Sequence, residues 1–166
     1  AAERPSAFRT VRTVIVGGEQ LDLTAAHRVL SAAPSTRLLN AYGPTETTTF
    51  ATTFECTPDG LAGLDRVPIG YPLPSTRLYV LDRELRRVEV GEEGELGIGG
   101  SGVALGYLRR PELTSERFLA EESVGGPPGG LVYRTGDRVR ALPSGAIELL
   151  GRRDRQIKLR GFRIEL

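Results

Sequence analysis

The run Val11-Arg-Thr-Val-Ile-Val16 is rich in β-branched residues and is followed at once by Gly17-Gly18. This pattern predicts a buried strand of a parallel sheet. Residues 22–33 carry apolar side chains at helical spacing, and Arg37-Leu-Leu-Asn-Ala41 then indicates a second strand. We therefore expect a β-α-β unit, in which ligands bind beyond the carboxyl ends of the strands. The glycine pair and the loop at Tyr42 both follow such an end.

The second half of the chain has a different pattern, because short apolar runs alternate with glycine or proline turns. These runs are Thr76–Asp82, Gly94–Ile98 and Ala146–Leu150. Pro143-Ser-Gly145 favours a hairpin, and a helical pattern occurs at Pro111–Phe118. We expect an α/β fold in which a partial β-α-β sheet layer is followed by a small antiparallel β-barrel-like subdomain. The boundary is expected near residues 64–72.

The composition excludes several classes of protein. Of the 166 residues, 39% are hydrophobic and 26% are charged, which is typical of a soluble globular protein. A net charge of +1 gives no strong attraction to nucleic acid or to an anionic membrane. The single cysteine, Cys56, excludes an internal disulfide framework and a cysteine-based zinc site. Because there is also no membrane-length apolar run and no signal-peptide core in residues 1–10, we predict a cytoplasmic protein.

Three polar segments stand out: Asn40-Ala-Tyr-Gly-Pro-Thr-Glu-Thr47, Tyr133-Arg-Thr-Gly-Asp137 and Gly151-Arg-Arg-Asp-Arg-Gln156. Taken singly, they are typical of a turn, a surface acid and a solvated basic hairpin. Taken together in this order, they resemble the adenylate-forming (AMP-binding) enzymes. The closest similarity is to the amino-acid-activating adenylation domains of nonribosomal peptide synthetases.

The resemblance implies roles for five residues. Tyr42 would stack on adenine, Asp137 would accept hydrogen bonds from both ribose hydroxyls, and Arg152 would approach the ribose and phosphates. Thr45 would bond the α-phosphate, and Glu46 would hold Mg²⁺, a hard cation that prefers oxygen ligands. Thr45, Glu46 and Arg152 are therefore the candidate catalytic residues, with ATP or AMP and Mg²⁺ as the cofactors.

The same resemblance implies further site positions. Asn40 and Gly43 belong to the nucleotide motif, and the backbone of the Gly17-Gly18-Glu19 turn, Gly18 above all, would line the adenylate pocket. Five positions match the side-chain pocket for the amino acid: Val14, Val16, Ala41, Thr49 and Phe50. From the strand pattern alone Val14 and Val16 would be core residues, and that alternative stays open. If they do line the pocket, Val14, Val16 and Ala41 favour an apolar or modest-sized substrate.

A glycine-rich run is given no ligand. Gly97-Ile-Gly-Gly-Ser-Gly102 matches G-x-G-x-x-G, but Gly106 interrupts any following helix, so we expect no dinucleotide site here. By resemblance, Gly94-Glu-Leu96 together with Gly106-Tyr107 and Thr114–Phe118 is a structural motif. His27 has no acid, cysteine or second histidine near it in the sequence, and we expect it to be an exposed helix residue.

The resemblance also implies a division of the chain. Residues 1–66 would be the β-α-β part of the large AMP-binding domain, residues 67–150 the antiparallel β subdomain, and residues 151–166 the hinge and the start of a C-terminal domain. Asp154 matches the hinge residue, and the Lys158–Gly161 loop would face the carrier-protein arm. The phosphate loop and the catalytic lysine of the family have no match here. We therefore expect part of a larger domain, unlikely to be active alone.

The implied reaction joins an amino acid to ATP, giving aminoacyl-adenylate and pyrophosphate. The acyl group would then pass to the phosphopantetheine thiol of a peptidyl carrier domain, and a small MbtH-like helper protein is a further candidate partner. Two alternatives stay open. One is an acyl-CoA synthetase-like or other acid-activating ligase, and the other is a non-catalytic nucleotide-binding module.

Overall fold

The computed structural model describes residues 4–153, 157–159 and 162–164. Within these ranges the helices are α1 Leu23–Ala32, α2 Pro58–Leu61 and α3 Pro111–Arg117. The strands are β1 Thr13–Gly17, β2 Arg37–Tyr42, β3 Thr52–Cys56, β4 Tyr71–Pro72, β5 Thr76–Leu81, β6 Glu93–Gly100, β7 Phe118–Ala120, β8 Leu131–Ala141, β9 Ile147–Arg152, β10 Ile157–Leu159 and β11 Phe162–Ile164. The predicted hinge residue, Asp154, lies outside the described residues, and so does Gly161. Lys158 lies in β10, which pairs antiparallel with β11.

The first sheet has the strand order β1-β2-β3-β4. β1 and β2 are parallel and α1 connects them, which confirms the predicted β-α-β unit. Asp22 caps α1 by accepting a hydrogen bond of 2.7 Å from the Ala25 N–H. On its inner face α1 buries Ala26 and Val29 in a core cluster that also contains Leu38 of β2. The helix is thereby fixed against one face of the sheet.

Two features of this sheet differ from the sequence-based expectation. β1 is not buried, since in the described part of the chain it pairs with β2 alone and Ile15 is 52% exposed. A β-branched run shows that a strand forms but not how many neighbours the strand has. β3, which is antiparallel to β2, was not predicted. Its signal was present, because Thr52, Phe54 and Cys56 are buried while Glu55 is exposed, a period of two.

The second sheet is antiparallel, as predicted, with the order β5-β6-β8-β7 and β9 paired to β8. The hairpin expected at Pro143-Ser-Gly145 connects β8 to β9. β8 is longer than the sequence suggested, because it extends back to Leu131. Tyr133-Arg-Thr-Gly-Asp137 therefore lies within a strand and not in front of one. As a result, Asp137 is held opposite Arg152 by the β8–β9 pairing and lies beside the shift in the β6–β8 register.

The segment Val67–Gly70 joins the two sheets through backbone oxygens and amides. The Asn40 side-chain amide donates to the Pro68 carbonyl at 2.7 Å, and the Thr52 hydroxyl donates to the Ile69 carbonyl at 2.7 Å. The Ile69 N–H donates in turn to the Ile147 carbonyl of β9 at 2.9 Å. These bonds fix the end of β2 next to β8 and β9.

In the part of the chain that the structure describes, no helix directly follows the glycine-rich run Gly97–Gly102, as predicted from Gly106. β6 ends at Gly100 and is followed by turns, so no helix opens at G-x-G-x-x-G. The helix expected at Pro111–Phe118 is present as α3, and His27 is exposed on α1. No helix in the described residues is long and apolar enough to span a membrane.

A fully buried carboxylate fixes one end of the second sheet. Glu121 accepts two hydrogen bonds from Arg77, at 2.5 and 2.6 Å, and a third from the Tyr79 hydroxyl at 2.7 Å. A methyl group in place of the hydrogen at Gly99 or Gly130 would collide with its carboxylate oxygens. The bond from Arg77 holds the pKa of Glu121 below its usual value. The carboxylate therefore stays charged in the folded state.

We expect Glu121→Gln to lower the free energy of unfolding by about 2 kcal/mol, since charged hydrogen bonds are lost at a buried position. Glu122→Gln, at the exposed neighbour, should change it by less than about 0.5 kcal/mol. The pKa of Glu121 is lower in the folded state than its ordinary value of 4.5. The charged carboxylate therefore makes its full contribution to the free energy of unfolding above pH 4.5, and that contribution is lost as the pH falls through the lowered folded pKa. Urea denaturation at a series of pH values should show the gap between wild type and variant closing in acid. If the difference in the free energy of unfolding between wild type and Glu121→Gln did not change with pH, the charged Glu121–Arg77 pair would not be its source.

Candidate active site

Three sequence motifs that are far apart in the chain meet where the ends of β2 and β9 lie next to the middle of β8. Asp137 accepts a hydrogen bond from the Tyr42 hydroxyl, 95 residues away. Its other carboxylate oxygen accepts from Arg152 Nη1 at 2.7 Å. Asp137 and Arg152 lie directly opposite each other in the β8–β9 ladder, beside a bulge between Arg138 and Val139. One carboxylate thus connects the three motifs.

Hydrogen bonds also fix the backbone around Asp137. Its N–H donates to Thr135 Oγ1 at 3.0 Å, and the Thr135 hydroxyl donates to the Leu96 carbonyl at 2.8 Å. The Asp137 side chain is held where only 6% of the residue is exposed. Burial, reinforced by the negative charge of Asp137, raises the pKa of Tyr42 well above its usual value. The Tyr42 hydroxyl therefore remains a donor at physiological pH.

A cavity of about 410 Å³ opens beside this carboxylate. Eight residues predicted from the sequence line it: Gly18, Asn40, Ala41, Tyr42, Gly43, Phe50, Asp137 and Arg152. Glu19, of the Gly17-Gly18-Glu19 turn expected at the pocket, also lines the cavity. Four lining residues were not predicted: Gln20, Ile69, Leu149 and Gly151. Its volume lies in the range of small-molecule sites, and it combines apolar walls with a few polar groups. Ile69 and Leu149 had no detectable signal, since each looks like an ordinary strand or core residue.

Five predicted site residues do not line this cavity. Val14 and Val16 pack against the core cluster beneath α1. The reason is strand alternation, which puts residues 14 and 16 on the helix-covered face and Ile15 on the other. Thr49 is exposed and has a positive φ of 67°. Thr45, also exposed, and Glu46, which is buried, lie in the 3₁₀ turn that follows β2.

Glu46 is held by a tyrosine to which the sequence analysis gave no site role. Tyr107 donates its hydroxyl proton to Glu46 Oε1 at 2.6 Å. The Tyr107 hydroxyl also lies 3.4 Å from the hydroxyl of Tyr133. Burial, and then the bond to Glu46, raise the pKa of Tyr107. Tyr107 therefore keeps its proton, and the carboxylate of Glu46 is held by a neutral donor.

Comparison with known proteins identifies the family. The model of the AMP-binding enzyme family matches residues 1–108. The chain belongs to the AMP-binding enzyme family. Malpibaldin synthetase of Mortierella alpina is 50% identical over 157 residues, which are 94% of this chain and 3% of that protein. Tyrocidine synthase 3 of Brevibacillus parabrevis is 44% identical over 164 residues, 99% of this chain and 2% of that protein.

Solved structures of AMP-binding relatives show the same fold. Holo-PA1221, a nonribosomal peptide synthetase protein containing adenylation and PCP domains, superposes with a TM-score of 0.89 at 34% identity. That match covers 97% of this chain and 28% of PA1221. The Vibrio cholerae adenylation domain AlmE, in complex with glycyl-adenosine-5'-phosphate, gives 0.83 at 30% identity, over 98% of this chain and 30% of AlmE. The chain is therefore part of an adenylation domain.

Glu46 is the metal ligand expected from the sequence, and its surroundings allow a test of whether it fits that role. The described residues contain no cluster of three or more His, Cys, Asp or Glu side chains that could enclose an ion. Mg²⁺ is commonly held by one or two carboxylates together with substrate phosphates and water, and does not need such a cluster. A single buried carboxylate in the turn after β2 fits that mode of binding.

Glu95 does not line the cavity but supports the backbone next to Asp137, and the sequence motifs did not identify it. Its buried carboxylate accepts from Arg134 Nη2 at 2.7 Å, from the Gly136 N–H at 3.2 Å and from Arg153 Nη1 at 3.4 Å. It thereby holds the backbone just before Asp137 and a side chain just after Arg152. A charged residue inside the short strand pattern Gly94–Ile98 was the available signal, because acids inside strands are rarely buried without partners.

We expect Tyr42→Phe to lower the free energy of unfolding by about 2 kcal/mol, because the buried Asp137 carboxylate loses a donor while the ring is kept. Tyr71→Phe is the matched control, since Tyr71 is exposed and should tolerate the change within about 0.5 kcal/mol. Denaturant titration of both variants is the measurement. Equal, small effects would show that the Tyr42–Asp137 bond does not stabilise the site.

Proposed function

We propose that the complete protein activates an amino acid with ATP, releasing pyrophosphate, and passes the aminoacyl group to a carrier-domain thiol. The observation that carries this proposal is the convergence of Tyr42, Asp137 and Arg152 at one cavity in an AMP-binding chain. The similarity to AlmE, solved with an aminoacyl-adenylate, supports it. The chain spans about a third or less of the solved adenylation proteins, so the complete protein supplies the other parts.

The nucleotide would enter the cavity with its base against the Tyr42 ring. Asp137 already accepts from Tyr42 and Arg152, but a carboxylate has about four lone-pair sites and can accept from two ribose hydroxyls as well. The Arg152 guanidinium lies beside it and would reach the ribose and phosphates. Asn40, Gly43 and Gly18 would complete the wall, with the glycines permitting close approach of the backbone.

The phosphate end would lie toward the turn after β2. Thr45 would bond the α-phosphate, and Glu46 would hold Mg²⁺, whose chemical contribution is to neutralise charge on the phosphate oxygens. The amino-acid carboxylate attacks the α-phosphate in line, so the protein acts mainly by positioning and by stabilising charge. Exposure of Thr45 in the described structure leaves its hydroxyl accessible for this contact.

The partners proposed for this reaction follow from the related structures. PA1221 contains adenylation and PCP domains, which supports a phosphopantetheine-bearing carrier domain as the acceptor. Asp154 would be the hinge that lets a C-terminal domain turn between the two half-reactions. We further propose a cytoplasmic location, where ATP is available, and an MbtH-like helper as an optional partner.

ATP–pyrophosphate exchange on the complete protein tests the proposal. Exchange should depend on one or a few amino acids and fall by more than about 100-fold in Asp137→Ala, since an oriented, charged acceptor worth about 3 kcal/mol is lost. Asp65→Ala, at an exposed acid away from the cavity, should keep wild-type exchange. Exchange with fatty or aryl acids alone would move the protein to the acyl-CoA synthetase-like ligases. Nucleotide binding without exchange for any acid would favour a non-catalytic module.

The structure also separates the residues proposed for the substrate pocket. Phe50 and Ala41 line the cavity, whereas Val16 packs under α1. Phe50→Ala should therefore shift exchange toward larger amino acids. Val16→Ala should lower stability by about 1–2 kcal/mol and keep the rank order of substrates. A changed rank order in Val16→Ala, measured with the same amino-acid panel, would restore the alternative in which Val14 and Val16 select the substrate.

A further inference from the structure

A loop of the second sheet is attached to the turn that carries Glu46. We name it the bracing loop, residues 101–107, which follows β6. The Ala104 N–H donates to the Glu46 carbonyl at 2.9 Å. The Thr48 hydroxyl donates to the Gly102 carbonyl at 2.8 Å. The bracing loop therefore holds the turn at Glu46 itself and at Thr48, two residues later.

The turn needs such support because its backbone is strained. Thr48 and Thr49 have φ values of 61° and 67°, in the left-handed region that β-branched residues rarely adopt. Conformations of this kind persist when surrounding contacts hold them, and they are frequent at functional sites. The bond from Thr48 to Gly102 is one such contact.

The far end of the bracing loop, Tyr107, is fixed from several directions. Its N–H donates to Thr114 Oγ1 of α3 at 2.9 Å. Its ring meets Phe118 edge-on, with centroids 5.4 Å apart, and Phe118 lies 5.1 Å from Tyr133 of β8. The ring therefore has little freedom to turn, and its hydroxyl is directed at Glu46 Oε1.

We propose that Tyr107 is a positioning residue for the phosphate end of the active site, and that its hydroxyl sets the orientation in which Glu46 meets the cation on the nucleotide phosphates. A phenol orients a carboxylate without contributing a charge of its own, in contrast to the guanidinium of Arg152 on Asp137. This inference rests on the proposed function, because it requires that Glu46 acts on a phosphate-bound cation. Tyr107 itself touches no reacting atom.

The test compares Tyr107→Phe with wild type in the complete protein. Titration calorimetry would give the Kd of ATP with Mg²⁺ and the Kd of ATP in EDTA. We expect Tyr107→Phe to weaken Mg²⁺-ATP binding about tenfold, since one hydrogen bond to a charged group is lost, and to leave metal-free ATP binding unchanged. Tyr71→Phe, at an exposed tyrosine, should change neither value. The phenylalanine ring keeps the packing on Phe118, and cooperative unfolding with a thermal midpoint well above the assay temperature would confirm that the fold is intact.

A double-mutant cycle with Glu46→Gln separates this inference from the proposed function. If the inference is correct, Glu46→Gln weakens Mg²⁺-ATP selectively, and adding Tyr107→Phe to it costs clearly less than tenfold, because the two residues act as one unit. Suppose instead that Glu46→Gln selectively weakens Mg²⁺-ATP binding. If Tyr107→Phe alone then changes neither Kd, or raises the Kd of Mg²⁺-ATP and that of metal-free ATP by the same factor, Tyr107 is only structural and the inference is overturned. If Glu46→Gln also leaves Mg²⁺-ATP binding unchanged, the proposed metal role of Glu46 is the part that fails.

Discussion

The site depends on one buried carboxylate, that of Asp137, which accepts two hydrogen bonds. Tyr42 comes from the parallel part of the first sheet, and Arg152 comes from the last strand of the second. Asp137 and Arg152 both belong to the second sheet, so of these two bonds it is the one from Tyr42 that a shift of one sheet against the other would break. A buried carboxylate without a hydrogen-bond donor destabilises the folded state. This penalty keeps Tyr42, Asp137 and Arg152 bonded to one another at the point where the cavity opens.

Buried carboxylates paired with arginine recur in the second sheet. Glu95 is bonded to Arg134, and Glu121 to Arg77, in each case between residues distant in sequence. Such pairs are weak evidence for stability, because desolvation offsets much of their attraction. As a hypothesis for this protein, the Glu95–Arg134 pair, which connects β6 to β8, helps to select the register of these two strands. Glu95 lies beside the shift in register between Glu95 and Gly97, which agrees with that role.

The sequence allowed the prediction of the local elements and of the motif residues, but not of the contacts between them. α1 and the β8–β9 hairpin were predictable because caps, turns and periodicity act over a few residues. The bond from Tyr42 to Asp137 spans 95 residues, and no local pattern encodes it. Val14 and Val16 show a second limit. Motif matching assigned both to the substrate pocket, whereas the strand pattern made them core residues, and in the structure both pack against the core cluster that contains Ala26 and Val29 of α1.

Tyr42 has a second function in the structure that the family resemblance did not suggest. Its ring lines the cavity while its hydroxyl holds Asp137, so the wall proposed for the base and the acceptor proposed for the ribose are parts of one rigid unit. Base and ribose are joined at a fixed distance in every adenine nucleotide. Because Tyr42 and Asp137 are already bonded to each other, the site loses little conformational freedom when a nucleotide binds. This favours affinity without additional contacts.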